Sequence, residues 1–382
     1  MSVLQRYLDH NATCPPLDSV LAAMRNAAIH AFGNPSSLHW AGRAARQVLD
    51  DARDDLAAFT GAESGAIVFT SGGTEANNLA IHGWCSVQEP GRIITSAIEH
   101  PSILRPLECL ETAGWDVMRL RPDKNGIVSA EDIAASMSEN TRMVALMAAN
   151  NETGVIQPVA EVGAICRERG TAFLVDAVQA LGKTDIDVRQ WNADFVSLSA
   201  HKIGGPRGVG ALMVRRGLKI NELAPGGGQE RKRRSGTENV PGIVGFAEAL
   251  GKIDFAALKP LRDEFERKLH ACLPDVTVFS ERALRTPNTS MFCVPGLEGE
   301  TLLMQLDLAG FAVASGSACS SGKREPSHVL LAMGATQEQA RSSIRVSFGP
   351  TSTMEDGIAL VNELVRIRER LMSMAGVHRE RA

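Results

Sequence analysis

The chain has 382 residues, 44% of them hydrophobic, and a formal net charge of −4. That length buries a large core, most simply in two domains, and the slightly acidic balance excludes a nucleic-acid binder and leaves small molecules as the default partner. The seven cysteines form no CxxC pair and no zinc-ligand spacing, so no structural disulfide or intrinsic metal is expected. MSVLQRYLDH lacks a signal pattern and no apolar run approaches the ~20 residues of a membrane span, which gives a cytoplasmic reading with no membrane partner.

From about Val20 to Leu250, short apolar runs alternate with amphipathic stretches. Ala66–Thr70, Arg92–Ser96, Met143–Ala148, Ala172–Val175, Phe195–Leu198 and Gly210–Val214 read as strands, an alternation that predicts a parallel sheet wrapped by helices. After Gly251 the pattern becomes α+β: a helix near Asp254–Cys272, strands Val276–Phe279 and Ser290–Val294, a helix around Glu300–Leu308, a Ser/Gly-rich loop, strand Ser343–Phe348 and a last helix near Met354–Met372.

In an open parallel sheet, ligands collect beyond the carboxyl ends of the strands. After AIVFT comes Ser71-Gly72-Gly73-Thr74-Glu75, leading into a helical pattern; such a turn suits a phosphate and reads equally as a capped helix start. It is no P-loop, because GxxxxGK[ST] is absent. His100 follows RIITS, although a lone histidine is more often a satisfied core or surface residue. Asp176 ends the apolar run AFLVD with Gln179 one helical turn on; it is a helix cap, or the partner of a protonated pyridine nitrogen. Lys202 follows DFVSLSAH and precedes a glycine-rich turn, as a surface lysine or as an amine nucleophile.

The ordered set FTSGGTEANN, EHPS, NNETGVIQP, VDAVQALGK, SAHKIGGPRGVGAL, GGGQERKRRSGTEN and SGSACSSGKREPSHVL resembles the cysteine desulfurases of the NifS/IscS type, in the class V aminotransferase superfamily. The resemblance runs from YLDHNATCPP to SSIRVSFGP. It implies an α/β protein of PLP fold type I: a large domain over residues 14–255 with a mostly parallel sheet, and a smaller α+β domain from residues 1–13 and 256–382 carrying the catalytic-cysteine loop at about 314–324.

Residue by residue, the resemblance implies pyridoxal 5′-phosphate (PLP) as cofactor, with Lys202 as Schiff-base lysine, His100 stacked on the ring, Asp176 on the pyridine nitrogen, Gln179 on the ring hydroxyl and Asn151 beside the ring. Gly73, Thr74, Ser199 and His201 would hold the phosphate, and Thr237 would reach the phosphate of a neighbouring subunit, which implies a homodimer. Arg345, with Asn34, would grip the substrate carboxylate, a task suited to a guanidinium. Cys319, among small residues that suit a mobile carrier segment, would take sulfur from L-cysteine as a persulfide, leaving L-alanine.

The acceptor implied is a sulfur-acceptor or iron–sulfur scaffold protein, with Cys319 meeting a cluster only transiently. Nitrogenase clusters, general iron–sulfur assembly and tRNA thiolation all stay open as destinations. SMAGVHRERA follows the last helix closely, so docking through a longer tail is not expected. Selenocysteine lyase is a neighbouring reading, since the same apparatus cleaves carbon–selenium bonds. An aminotransferase has no need of SGSACSSG, and a non-catalytic scaffold would lack Lys202, Cys319 or Arg345.

Overall fold

The computed structural model describes residues 4–315 and 325–374. Its centre is a seven-stranded sheet in the spatial order Ile67–Thr70, Gly210–Val214, Phe195–Ser199, Ala172–Asp176, Thr141–Met147, Arg92–Ser96, Asp116–Leu120. The last five strands pair in parallel, whereas Gly210–Val214 runs antiparallel to both its neighbours. Strands such as AFLVD, FVSLS and GALMV are buried at every residue. A strand covered on both faces has no reason to alternate apolar with polar residues, so it reads as a continuous apolar run.

Helices lie on each side. Gly73–Cys85 and Pro101–Thr112 cover one face, packing Leu79, Ile81, Ile103 and Leu107 against Ile93, Leu174 and Phe195. Across the sheet, Trp40–Thr60, Val159–Glu168 and Val240–Ala249 bury Leu49, Leu56, Val162 and Phe246 with Phe173, Val175 and Val196.

The C-terminal part forms a four-stranded antiparallel sheet in the order Ala314–Ser315, Ser343–Ser347, Thr289–Cys293, Thr277–Val278. Helices Lys259–Cys272 and Met354–Met374 pack on each other beside it. The N-terminal segment joins this part: Arg6–Tyr7 pairs in parallel with Phe311–Ala312, and Asp9 bridges to Ser347. Residues 8–14 therefore pass between the C-terminal sheet and the large one, and Cys14 N–H donates to the His201 carbonyl at 2.8 Å.

Six of the large sheet's strands match the expected runs within a few residues. The seventh, DVMRL, is a half-exposed edge strand, so it lacks the apolar continuity that marks the others. The sheet is mostly parallel, as expected, and the exception falls at GALMV, because the connection from Lys202 back to Gly210 is a tight glycine-rich turn, too short for a parallel crossover.

Candidate active site

The carboxyl ends of the parallel strands meet at one cavity of about 300 Å³, lined by Gly73, Thr74, His100, Asn151, Asp176, Gln179, Ser199, His201, Lys202 and Arg345, together with Asn11, Ala12, Ser102, Met147, Ala149 and Val178. Ten of the residues singled out in the sequence are thus gathered from five strand ends and one strand of the C-terminal sheet. At the turn after Ile67–Thr70, the helix Gly73–Cys85 starts with no side-chain cap. Its first N–H groups have no acceptor within the helix and point their positive dipole end outward. A Cβ on Gly73 would come within 2.5 Å of Val178 Cγ2, and one on Gly210 within 2.6 Å of the Gly72 Cα, so both positions depend on bare backbone.

His100 is itself the N-cap of Pro101–Thr112. Its Nδ1 accepts from the Ser102 N–H at 3.1 Å and lies 2.8 Å from the Ser102 hydroxyl. Burial, above all, lowers its pKa; the Asp176 charge opposes this, while Lys202 and His328 add to it. With Nδ1 accepting from the Ser102 N–H, the neutral imidazole carries its own proton on Nε2, and such a ring is suited to shuttling a proton near neutral pH. Asp176 is held as a carboxylate acceptor by Asn77 Nδ2 at 2.8 Å and the Val178 N–H at 3.0 Å. Asn77 also donates to Ser102 at 2.9 Å, which ties the Asp176 and His100 supports together.

Lys202 Nζ donates to the Asn11 and Ala12 carbonyls at 2.7 and 2.9 Å. His201, whose Nδ1 lies 3.2 Å from the Thr13 hydroxyl, has its pKa lowered to about 4 by burial and then by Lys202, Arg207 and Lys183. It therefore meets an anion as a neutral N–H donor. Arg345, on Ser343–Ser347, donates to the Asn151 carbonyl at 2.9 Å and to Asp9 Oδ1 at 2.6 Å, and its buried Nε has no partner among the described residues. A buried guanidinium with donor capacity left over fits an incoming carboxylate.

Asn34 and Thr237 lie outside this cavity. Both are exposed, and the Asn34 amide oxygen accepts from the Ser36 N–H at 2.9 Å. Cys319 lies outside the described residues. Downstream of it in the same motif, Ser327 Oγ donates to the buried Glu152 at 2.5 Å and His328 Nε2 bonds the Glu99 carbonyl at 3.0 Å, anchoring that motif beside His100 and Asn151. Asn11, Asn77, Ser102 and Lys183 support the site and were not singled out in the sequence. All four stand within the quoted runs YLDHNATCPP, FTSGGTEANN, EHPS and VDAVQALGK, but an asparagine and a lysine in turns, such as Asn11 and Lys183, carry no local sign of burial.

The family described as Aminotransferase class-V matches residues 6–360. A cysteine desulfurase IscS from Dictyoglomus turgidum is 41% identical over 98% of this chain and 97% of its own length. The chain belongs to the cysteine desulfurases of the NifS/IscS type. Among solved structures, a NifS-like protein superposes with a TM-score of 0.89 at 33% identity, over 96% of this chain and 100% of its own. SspA in complex with cysteine superposes with a TM-score of 0.82 at 34% identity, over 91% and 100%.

Desulfurases of this class-V family use pyridoxal phosphate as cofactor, and the donor set fits that group. A capless helix start with Thr74, Ser199 and His201 suits a phosphate, a buried carboxylate suits a protonated pyridine nitrogen, and an amine suits an aldehyde.

Proposed function

We propose that this desulfurase takes sulfur from L-cysteine with Lys202, His100 and Cys319 as its catalytic residues, giving L-alanine and a persulfide on Cys319. The observation that carries the proposal is the convergence of Lys202, His100, Asp176, Gln179 and Arg345 on one cavity. A similar protein has been solved with cysteine bound.

Bound PLP supplies an aldehyde that links to amines and a ring that accepts electrons from the substrate's α-carbon. Gly73, Thr74, Ser199 and His201 hold its phosphate, Asp176 keeps the proton on its ring nitrogen, Gln179 meets its ring hydroxyl, Asn151 flanks the ring and His100 stacks on it. Lys202 would hold the aldehyde of the bound group and, as a free amine, would move the α-proton of the substrate. Arg345 fixes the substrate carboxylate, with Asn34 supporting that end. His100 shuttles the proton of the substrate thiol. The Cys319 thiolate then attacks the substrate sulfur: an S–S bond forms, the C–S bond breaks, and its electron pair stays with the carbon framework, which is protonated to alanine. The sum, cysteine plus a thiol giving alanine plus a persulfide, is balanced without an external oxidant.

The sulfur passes to an acceptor or scaffold protein for iron–sulfur cluster assembly, in the cytoplasm. Among the described residues no helix is long and apolar enough to cross a membrane. The working unit is a homodimer in which Thr237 serves the partner's phosphate site, which accounts for its exposed position within one chain. Residues 14–255 form the PLP-binding domain, and residues 1–13 with 256–382 the smaller one.

The test is Cys319→Ala. The variant keeps the absorbance of the bound cofactor and loses sulfide release with a thiol reductant; full retained release would overturn the persulfide role.

A further inference from the structure

Lys183 is a lysine that the reaction does not use, yet it is only 7% exposed, and among the described residues no carboxylate pairs with it. Its Nζ donates to Gln179 Oε1 at 2.6 Å and to Asn11 Oδ1 at 2.8 Å, and it sits 5.6 Å from the centre of the Phe255 ring. Burying an unpaired ammonium is costly, and burial, above all, drives its pKa well down, with the Lys202 and Arg345 charges adding to the effect. The titratable groups facing it come from several segments: His10 and Cys14 before the first helix, His201 and Lys202 after Phe195–Ser199, and Arg345 on the C-terminal sheet.

As an ammonium Lys183 offers these two amides only donors, whereas a neutral amine would also bring one lone pair. The Gln179 atom that faces it must therefore be the carbonyl oxygen, which turns the Gln179 NH₂ toward the cavity and the Asn11 carbonyl, 2.9 Å away. The same logic fixes Asn11. Its oxygen accepts from Lys183 and, at 3.2 Å, from Asn288, so its NH₂ meets Thr289 Oγ1 at 2.8 Å and the Asn151 carbonyl at 3.3 Å. That carbonyl is also the one that receives Arg345.

We propose that Lys183 is a positioning residue: it locks the Gln179 amide so that this side chain can act only as a hydrogen-bond donor in the cavity, selecting an anionic ring oxygen on the cofactor. It also holds Asn11, which carries the lock on to Asn151. The inference rests on the reading that Lys202 and Gln179 hold the cofactor.

The readout is the pH titration of the absorbance of the cofactor linked to Lys202, recorded on holoenzyme. A donor on the ring oxygen keeps that oxygen anionic and disfavours protonation of the adjoining linkage. In Lys183→Met the amide loses one of its two fixings and is held only by the Asn11 carbonyl, and the titration midpoint rises by about one pH unit. Lys183→Gln, a neutral side chain that still donates, restores at least half of that shift, and Lys183→Met adds nothing in a Gln179→Leu background. An unmoved midpoint in Lys183→Met overturns the inference. So does an equal shift in Lys183→Gln, because the effect is then one of charge and not of amide orientation. If Lys183→Met does not fold, Lys183→Ala is titrated in its place, with a raised midpoint supporting the inference and an unmoved one overturning it. Failure of the underlying reading is distinguishable, since wild-type protein would then lack the titrating absorbance altogether.

Discussion

Lys202 and Glu99 mark two kinds of residue at this site. Lys202 was marked in the sequence by its place in an ordered series of motifs, since a lysine at the end of an apolar run taken alone reads equally as a surface residue. Lys202→Ala is expected to leave the fold intact and abolish the absorbance of the lysine-linked cofactor; a normal spectrum would contradict its covalent role. Glu99 shares the same motif, but nothing local signals its state. It is buried next to His100, and its carboxyl is pushed up to about 8 by burial and the Asp176 charge, against the Ser96 hydroxyl and the Met147 N–H. A carboxyl raised above its ordinary value of about 4.5 gives its full contribution to stability below that pH and loses it as the pH rises through about 8. Glu99→Gln keeps an oxygen for Ser96 and Met147, which donate at 2.6 and 3.0 Å. Its denaturation midpoint should therefore decline less than that of wild type across this window, and an equal decline would count against the assignment. Asn11 and Lys183 escaped sequence reading for the same reason, since long-range packing sets their roles.

The buried strands were legible as elements because continuous apolar runs are what a doubly covered sheet requires. Edge strand DVMRL was hidden by its exposure, and the reversed direction of GALMV by the fact that a strand's sequence carries no sign of its polarity. Two devices hold the turn after Ile67–Thr70 in place. Glu230, in the GGGQERKRRSGTEN loop, accepts both Arg53 guanidinium nitrogens at 2.8 Å and the Phe69 N–H at 3.0 Å, joining the helix Trp40–Thr60, the first sheet strand and the loop that carries Thr237. Both partners are buried, so Glu230→Ala strands a buried guanidinium and should cost about 3 kcal/mol in denaturant unfolding. A loss under 1 kcal/mol would place this pair among those of surface strength. The second device is the contact of Gly210 with the Gly72 backbone. Gly210→Ala forces that turn away and should weaken cofactor retention by about tenfold, measured by dialysis against a carbonyl reagent; unchanged retention would show that the turn tolerates displacement.

At the scale of the whole molecule, the N-terminal segment, the large sheet and the C-terminal sheet converge on one cavity, and the proposed homodimer would bring Thr237 of a second copy to it. Mixing Lys202→Ala with Thr237→Ala chains under exchange conditions tests this. A hybrid dimer has one site with intact Lys202 and a partner's intact Thr237, so activity should rise above that of either variant alone; no rise would confine Thr237 to its own chain. The central claim is that sulfur leaves cysteine on Cys319. Mass analysis of the peptide containing Cys319, after incubation of the holoenzyme with one equivalent of cysteine and no reductant, tests it most directly. That peptide is expected to be heavier by one sulfur atom, with a matching amount of alanine. Alanine formed with the added sulfur on another cysteine, or on none, would contradict it.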